Sequence, residues 1–254
     1  MKLIVLGSGT SVPHPQRCSP GFWLESDRGS LLLDVGPDVP HRLAQEKLDW
    51  PSLDTIWISH FHLDHLGGLA PFLFGARWSP NMRDRRKPLR IFGPPGLASL
   101  VNKLAEVNNY KLLQHSFPVE IIEVVSGEQF EILPGLKAAT LATPHTSESL
   151  ALRLIELSGK SLVYSSDTGF SKELIDFARR VTLLVLECSF RRTKPVVTHL
   201  ELSEAMEIVK TCQPDTAVLT HLSAEWEVGT VAAEAKAFWN GNVIEATDGL
   251  QIEL

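Results

Sequence analysis

Residues 59–68 read Ser-His-Phe-His-Leu-Asp-His-Leu-Gly-Gly and place His60, His62, Asp64 and His65 in one short loop behind the apolar run 55–58. Neutral imidazoles beside a carboxylate are the ligand set that zinc, manganese and iron prefer. A chain leaving a strand sends successive side chains in different directions, so neighbours in such a loop can face two different ions. Gly67 and Gly68 permit a close backbone approach next to the cluster. A loop of this kind needs a rigid sheet beneath it and further ligands from other strand ends. The candidates are His145 in Ala-Thr-Pro-His, Asp167 in Ser-Ser-Asp-Thr-Gly and His221 in Leu-Thr-His-Leu, each just beyond an apolar run.

Short apolar runs ended by Gly, Pro, Asp or Ser recur along the chain and predict strands at 3–6, 22–25, 31–33, 55–58 and 89–92. Further strands are predicted at 119–125, 130–133, 136–141, 150–157, 161–164, 183–186, 217–219 and 243–245. Helical periodicity predicts helices over 94–107, 171–180, 202–210 and 224–239. Antiparallel hairpins mixed with isolated helices suggest two sheets packed face to face with helices on their outer faces, not a regular alternating parallel sheet. No linker rich in Pro, Gly and Ser interrupts the pattern and no repeat is visible, so residues 1–254 are expected to form a single domain.

The composition narrows the partners. A net charge of -6 and a pI near 5.9 argue against a chain coated in basic surface for duplex DNA. The opening residues, Met1 to Val5, run directly into Gly7, Ser8 and Gly9, which is too short for a signal peptide or a membrane span; the expectation is a cytoplasmic protein with no membrane partner. Cys18, Cys188 and Cys212 form an odd set with no Cys-x-x-Cys pair, which fits reduced, buried thiols.

Taken in order, Asp34 in Leu-Leu-Leu-Asp-Val-Gly, the His60–His65 loop, His145, Asp167 and His221 resemble the five motifs of the metallo-β-lactamase superfamily over most of the chain. The resemblance implies an α/β (α+β) fold, an αββα four-layer sandwich, with a dinuclear zinc-type centre. It also implies that His60, His62 and His145 hold one divalent ion, that Asp64, His65 and His221 hold the other, and that Asp167 bridges them. Zinc is the expected metal, with manganese or iron as alternatives. Asp34 is expected behind the ligands, holding the histidine loop in place.

Within the superfamily the chain is most similar to the ribonuclease Z and phosphodiesterase branch, through Leu-Gly-Ser-Gly-Thr-Ser-Val-Pro at the start, Leu-Glu-Cys-Ser-Phe around Glu187 and Thr-His-Leu-Glu-Leu-Ser-Glu-Ala around His199. That resemblance implies a Glu187–His199 pair in which the histidine protonates the leaving oxygen, with Asp64 accepting a proton from the nucleophilic water. The chemistry agrees: a leaving alkoxide needs a proton, and a histidine held by a carboxylate can supply one. Two ions roughly 3.5–4 Å apart would generate a bridging hydroxide and clamp a phosphoryl oxygen.

The long Gly/Pro-rich arm with which ribonuclease Z grips tRNA has no room between His145 and Asp167, so a small anionic or phosphodiester substrate is expected in preference to tRNA, with RNA left open as a partner. Two basic stretches are candidates for anion contacts: Arg77, Arg83, Arg85, Arg86, Lys87 and Arg90, and then Arg191, Arg192 and Lys194. Phe72, Phe74 and Trp78 stand either in the core or along a substrate wall. A homodimer is a family-level expectation. Two other functions stay open at this point: hydrolysis of a carboxylic ester, lactone, thioester or sulfate ester on the same site, and a non-catalytic metal-binding interaction module.

Overall fold

A computed structural model describes residues 1–254. Two sheets of seven strands each face one another. The first contains β1 (Lys2–Gly7), β2 (Gly21–Ser26), β3 (Gly29–Leu33), β4 (Thr55–Trp57), β5 (Leu89–Gly93) and β6 (Val119–Glu123). The second contains β7 (Gln129–Leu133), β8 (Leu136–Ala142), β9 (Leu150–Glu156), β10 (Ser161–Tyr164), β11 (Leu183–Glu187), β12 (Thr216–Thr220) and β13 (Asn242–Glu245). The last strand, β14 (Gln251–Glu253), returns to the first sheet and pairs antiparallel with β1, Leu3 against Ile252.

Alternation along the strands divides the apolar residues into layers. Leu3, Val5, Leu31 and Leu33 point into the space between the sheets, where they meet Leu152, Leu154, Leu162 and Val185 from the other side. Ile4, Leu6 and Leu32 point the opposite way, under α1 (Val39–Gln45), α3 (Leu69–Trp78) and α4 (Leu97–Glu106). In the second sheet Leu184, Leu186 and Leu219 likewise face outward, under α5 (Lys172–Phe177), α6 (Leu202–Cys212) and α7 (Val231–Ala235). The strands are apolar on both faces because both faces are covered. Each fully buried aliphatic side chain contributes about 1.5–3 kcal/mol, which drives the four-layer stack. The αββα sandwich expected from the sequence is the architecture observed.

The sheets are mixed, and two details of the helices differ from the expectation. Half of each sheet is parallel: β3 to β6 run parallel to one another, as do β10 to β13. The hairpins are confined to β1–β3 and β7–β10. The helix expected over 224–239 shrinks to α7, because Gly229 sits at φ +90° and the Glu245 carboxylate accepts from the backbone N–H groups of both Gly229 and Val231. Helices α1 and α3 escape the periodic pattern: each carries a proline in its first turn or two, and α3 adds a glycine to a nearly all-apolar run.

This topology positions the site. Strands β3 and β4 are parallel, β10 to β12 are parallel, and β8 runs in the same direction as β10 because both are antiparallel to β9. Their carboxyl ends therefore share one rim, where the Leu150 N–H donates across to the Ser59 carbonyl at 3.0 Å.

Candidate metal centre

Asp34 follows β3, Ser59 and His60 follow β4, His145 follows β8, Asp167 follows β10, Glu187 ends β11 and His221 follows β12. A short helix, α2 (Leu63–Leu66), begins immediately after His62 and turns Asp64 and His65 inward. Three non-glycine residues at this rim hold left-handed backbone: Asp34 at φ 58°, Ser166 at 55° and His221 at 55°. Such conformations cost of order 1–3 kcal/mol each and gather where surrounding contacts hold them for a purpose. Gly36 and Gly68 are required by close approach. A Cβ on Gly36 would lie 2.5 Å from the Asp64 carbonyl oxygen, and one on Gly68 would lie 2.2 Å from the Gly36 carbonyl oxygen.

The sequence-predicted side chains meet at this rim. The ring nitrogens and carboxylate oxygens of His60, His62, His145 and Asp167 lie within 4.8 Å of one another, as do those of Asp64, His65, Asp167 and His221. Asp167 stands at the centre: its Oδ1 is 3.2 Å from His65 Nε2, and its Oδ2 is 3.4 Å from His221 Nε2, 3.6 Å from His145 Nε2 and 3.8 Å from His60 Nε2. Asp64 Oδ2 is 3.4 Å from His221 Nε2 and 3.7 Å from His65 Nε2. His62 Nδ1 is 3.0 Å from His145 Nε2 at the exposed mouth.

Whether these residues fit a cation can be tested on their unmet demands. His60 Nε2 and His65 Nε2 are fully buried and have no hydrogen-bond partner, although both point into the cluster. A buried polar atom left without a partner costs about 1–3 kcal/mol, so two such ring nitrogens side by side are suited to an occupant between them. Burial, joined by repulsion from His65, pushes His60 down to about 2, so its ring is neutral. Burial opposes ionisation of Asp64, but its hydrogen bond with His221 and the charge on His65 bring it down to about 2. Asp167 is also held well below the usual carboxylate range, with the surrounding histidines outweighing its burial. Despite burial, Asp167 and Asp34 raise His65 well above its ordinary value, which marks the space between the carboxylates as one that favours positive charge. Deprotonated carboxylates converging with imidazole lone pairs are the chemistry a divalent cation requires, and the residues fit one.

The nitrogens facing away from the cluster are anchored. His65 Nδ1 donates to Asp34 Oδ2 at 2.7 Å and His145 Nδ1 donates to the Thr198 carbonyl at 3.0 Å. Asp34 is completely buried and also accepts from the Ser59 N–H at 2.8 Å, the Ser59 hydroxyl at 2.7 Å and the Tyr164 hydroxyl at 2.6 Å. It holds the loop from behind the cluster. No motif in the sequence marks Tyr164, Ser59 or Ser189 as part of this site. Their only trace there is position: Ser59 precedes His60, Ser189 is two residues past Glu187, and Tyr164 ends an apolar strand.

Glu187 and His199 pair at 2.8 Å, Oε1 to Nδ1. Glu187 also accepts from the N–H groups of Thr168, Ser189 and Leu200 and from the Ser189 hydroxyl. This pair flanks the cluster, with His199 Nδ1 4.0 Å from Asp167 Oδ2. Burial alone would lower His199, but the hydrogen bond and charge of Glu187 raise it above its ordinary value.

The basic stretches are mostly committed elsewhere. Arg85 donates to the carbonyls of Pro51, Leu53, Lys87 and Pro88, and Lys87 pairs with Asp54, so this segment knits a loop together instead of facing the cluster. Arg191 pairs with Glu234, while Lys194 bridges Glu204 and the His199 carbonyl. Phe72 is a core residue, whereas Phe74 and Trp78 are exposed. Cys188 and Cys212 are buried and Cys18 half-buried, all as free thiols. No helix is long and apolar enough to cross a membrane.

A family model described as anti-Pycsar protein Apyc1 matches residues 1–248. Among curated proteins, the ribonuclease Z of Archaeoglobus fulgidus is 21% identical over 308 residues, covering 100% of this chain and 97% of its own length. The probable metallo-hydrolase YhfI of Bacillus subtilis is 26% identical and covers 98% of both chains. Its crystal structure, described as a metallo-β-lactamase fold protein, superposes with a TM-score of 0.82 over 99% of each chain at 24% identity. The short form of human tRNase Z aligns with a TM-score of 0.74 at 21% identity, over 100% of this chain and 99% of its own.

Proposed function

The chain belongs to the family of the anti-Pycsar protein Apyc1, within the ribonuclease Z-like branch of the metallo-β-lactamase fold, and on that premise we propose that it is a metal-dependent phosphodiesterase for small anionic substrates. Residues 1–254 act as one hydrolase domain. His60, His62 and His145 would hold one divalent ion, Asp64, His65 and His221 would hold the other, and Asp167 is placed to serve both. Zinc suits this mixture of imidazole and carboxylate. When bound, such a pair of ions supplies a hydroxide nucleophile at neutral pH and charge stabilisation for a phosphoryl oxygen.

The chain's own residues supply the rest. Asp64, ionised and 3.4 Å from His221, is placed to accept a proton from the attacking water. His199 delivers a proton to the leaving oxygen, and Glu187 orients its ring and stabilises the protonated form. The observation that carries the phosphodiester reading is this 2.8 Å pair beside the cluster. Displacement at phosphorus expels an alkoxide as the nucleophile arrives, so a proton donor must already stand next to the reacting group. The direct hairpin from β9 to β10 between His145 and Asp167 supports a small substrate over a tRNA gripped by an arm.

The test is hydrolysis of bis(p-nitrophenyl) phosphate by zinc- or manganese-loaded protein, beside an Asp64→Ala variant. Turnover that disappears in the variant supports the reading. No turnover by the fully metallated protein, with turnover of carboxylic or sulfate esters instead, replaces it by ester hydrolysis on the same site.

A further inference from the structure

The two buried carboxylates behind the cluster are wired in the same way. Asp34 accepts one imidazole N–H directly, from His65, and one serine hydroxyl, from Ser59, whose oxygen lies 3.0 Å from His60 Nδ1. Glu187 accepts one imidazole N–H directly, from His199, and one serine hydroxyl, from Ser189, whose oxygen lies 2.8 Å from His221 Nδ1. The motif thus occurs twice behind the cluster, Asp34 serving His60 and His65 and Glu187 serving His221 and His199.

A hydroxyl has one proton, and its destination settles the rest. Glu187 Oε1 already receives the Thr168 N–H at 2.7 Å and the His199 Nδ1–H at 2.8 Å, while Oε2 receives the Leu200 N–H at 3.2 Å. Both oxygens of Glu187 thus already stand as acceptors. The Ser189 hydroxyl therefore donates to Oε2, at 2.7 Å, and only its lone pairs remain for His221. His221 must then carry its proton on Nδ1. Its Nε2, 3.4 Å from both Asp64 Oδ2 and Asp167 Oδ2, is left with a free lone pair facing the cation position.

We propose that Ser189 is a positioning residue: by accepting from His221 Nδ1 and donating to Glu187, it fixes the tautomer in which His221 ligates metal and joins that ligand to the Glu187–His199 pair. This rests on the metal-site reading above. Without the hydroxyl, the acceptors that remain 3.4 Å from a His221 ring nitrogen are Asp64 and Asp167, on the Nε2 side. The proton then moves to Nε2 and removes the lone pair from the cluster.

The test is zinc titrated calorimetrically into metal-free protein, together with long-range ¹H–¹⁵N correlation spectra of the histidines, for the wild type, Ser189→Ala and Ser189→Thr. Circular dichroism checks that each variant is folded. The wild type is expected to take up two equivalents. Ser189→Ala is expected to keep one at wild-type affinity and to bind the other about 10–100-fold more weakly, the usual cost of losing a hydrogen bond behind a metal ligand. Its His221 signals change from the Nδ1–H to the Nε2–H pattern, and Ser189→Thr restores both readouts. Two wild-type affinities in Ser189→Ala, or an unchanged His221 tautomer, would overturn the proposal and leave the metal site standing. A wild-type protein that takes up no zinc would instead fail the metal-site reading, and the role of Ser189 would fall with it.

Discussion

Replacing His199 with alanine separates protonation of the leaving group from everything else the site does. The imidazole is 18% exposed and held 2.8 Å from Glu187, so in its absence bulk water has poor access to the position from which it would donate. General acids of this kind contribute about 10²–10⁴-fold, which corresponds to about 3–5 kcal/mol of transition-state stabilisation. The restricted access points to the middle of that range, about 10³-fold. The loss should depend on the leaving group. With an alkyl phosphodiester, whose alkoxide is a poor leaving group, kcat is expected to fall about 10³-fold. With bis(p-nitrophenyl) phosphate, whose nitrophenolate departs without help, the fall should be about tenfold or less. The assay compares kcat for the two substrates in zinc-loaded wild type and His199→Ala, with metal content measured in both. An equal loss on both substrates at unchanged metal content would refute the acid role and make His199 a binding residue. No loss on either would remove it from the reaction.

Glu187→Gln should move the alkaline limb of kcat for the alkyl substrate. His199 is raised above its ordinary value mainly through Glu187, against burial, and must be protonated to act; activity is therefore retained below that raised pKa and lost as pH rises through it. Removing the carboxylate lowers the pKa, so the limb shifts to lower pH in a pH–rate profile, and an unmoved limb would contradict the pairing. Asp34→Ala strands the Ser59 N–H and hydroxyl, the His65 Nδ1–H and the Tyr164 hydroxyl in a fully buried space, and should destabilise the fold by about 3–5 kcal/mol in urea titration. A change under 1 kcal/mol would mean that water reaches those donors. Stripping metal with a chelator should lower the midpoint of thermal unfolding, and zinc restored to about a hundred times its Kd should add back about 2.7 kcal/mol; an unchanged midpoint would speak against a folded-state metal site.

Local chemistry was legible in the sequence wherever residues that act together lie close in the chain. His60, His62, Asp64 and His65 fall within one loop, so their chemistry can be read without knowing where the loop sits. The apolar runs of β1, β3 and β11 also announce strands buried on both faces, because every residue must be apolar when helices cover one side and a second sheet the other. Strand β14 gave no such warning: Gln251-Ile-Glu253 is three residues long and becomes a strand only because β1 offers it an edge. The basic run 83–90 looked like an anion site until folding brought the carbonyls of Pro51 and Leu53 within reach of Arg85.

Residue types, their order and the apolar alternation thus determined the inventory of clustered side chains and the layered architecture, since both depend on short-range pattern and side-chain chemistry. The tertiary structure decided which nitrogen of each histidine faces the cluster, that Asp34 and Glu187 sit behind it, and that Ser59, Tyr164 and Ser189 belong to it at all. A hydroxyl has no fixed role until a donor and an acceptor are brought to it, and here those partners come from distant strands: Tyr164 from β10 to the Asp34 at the end of β3, and Ser189 to the His221 beyond β12.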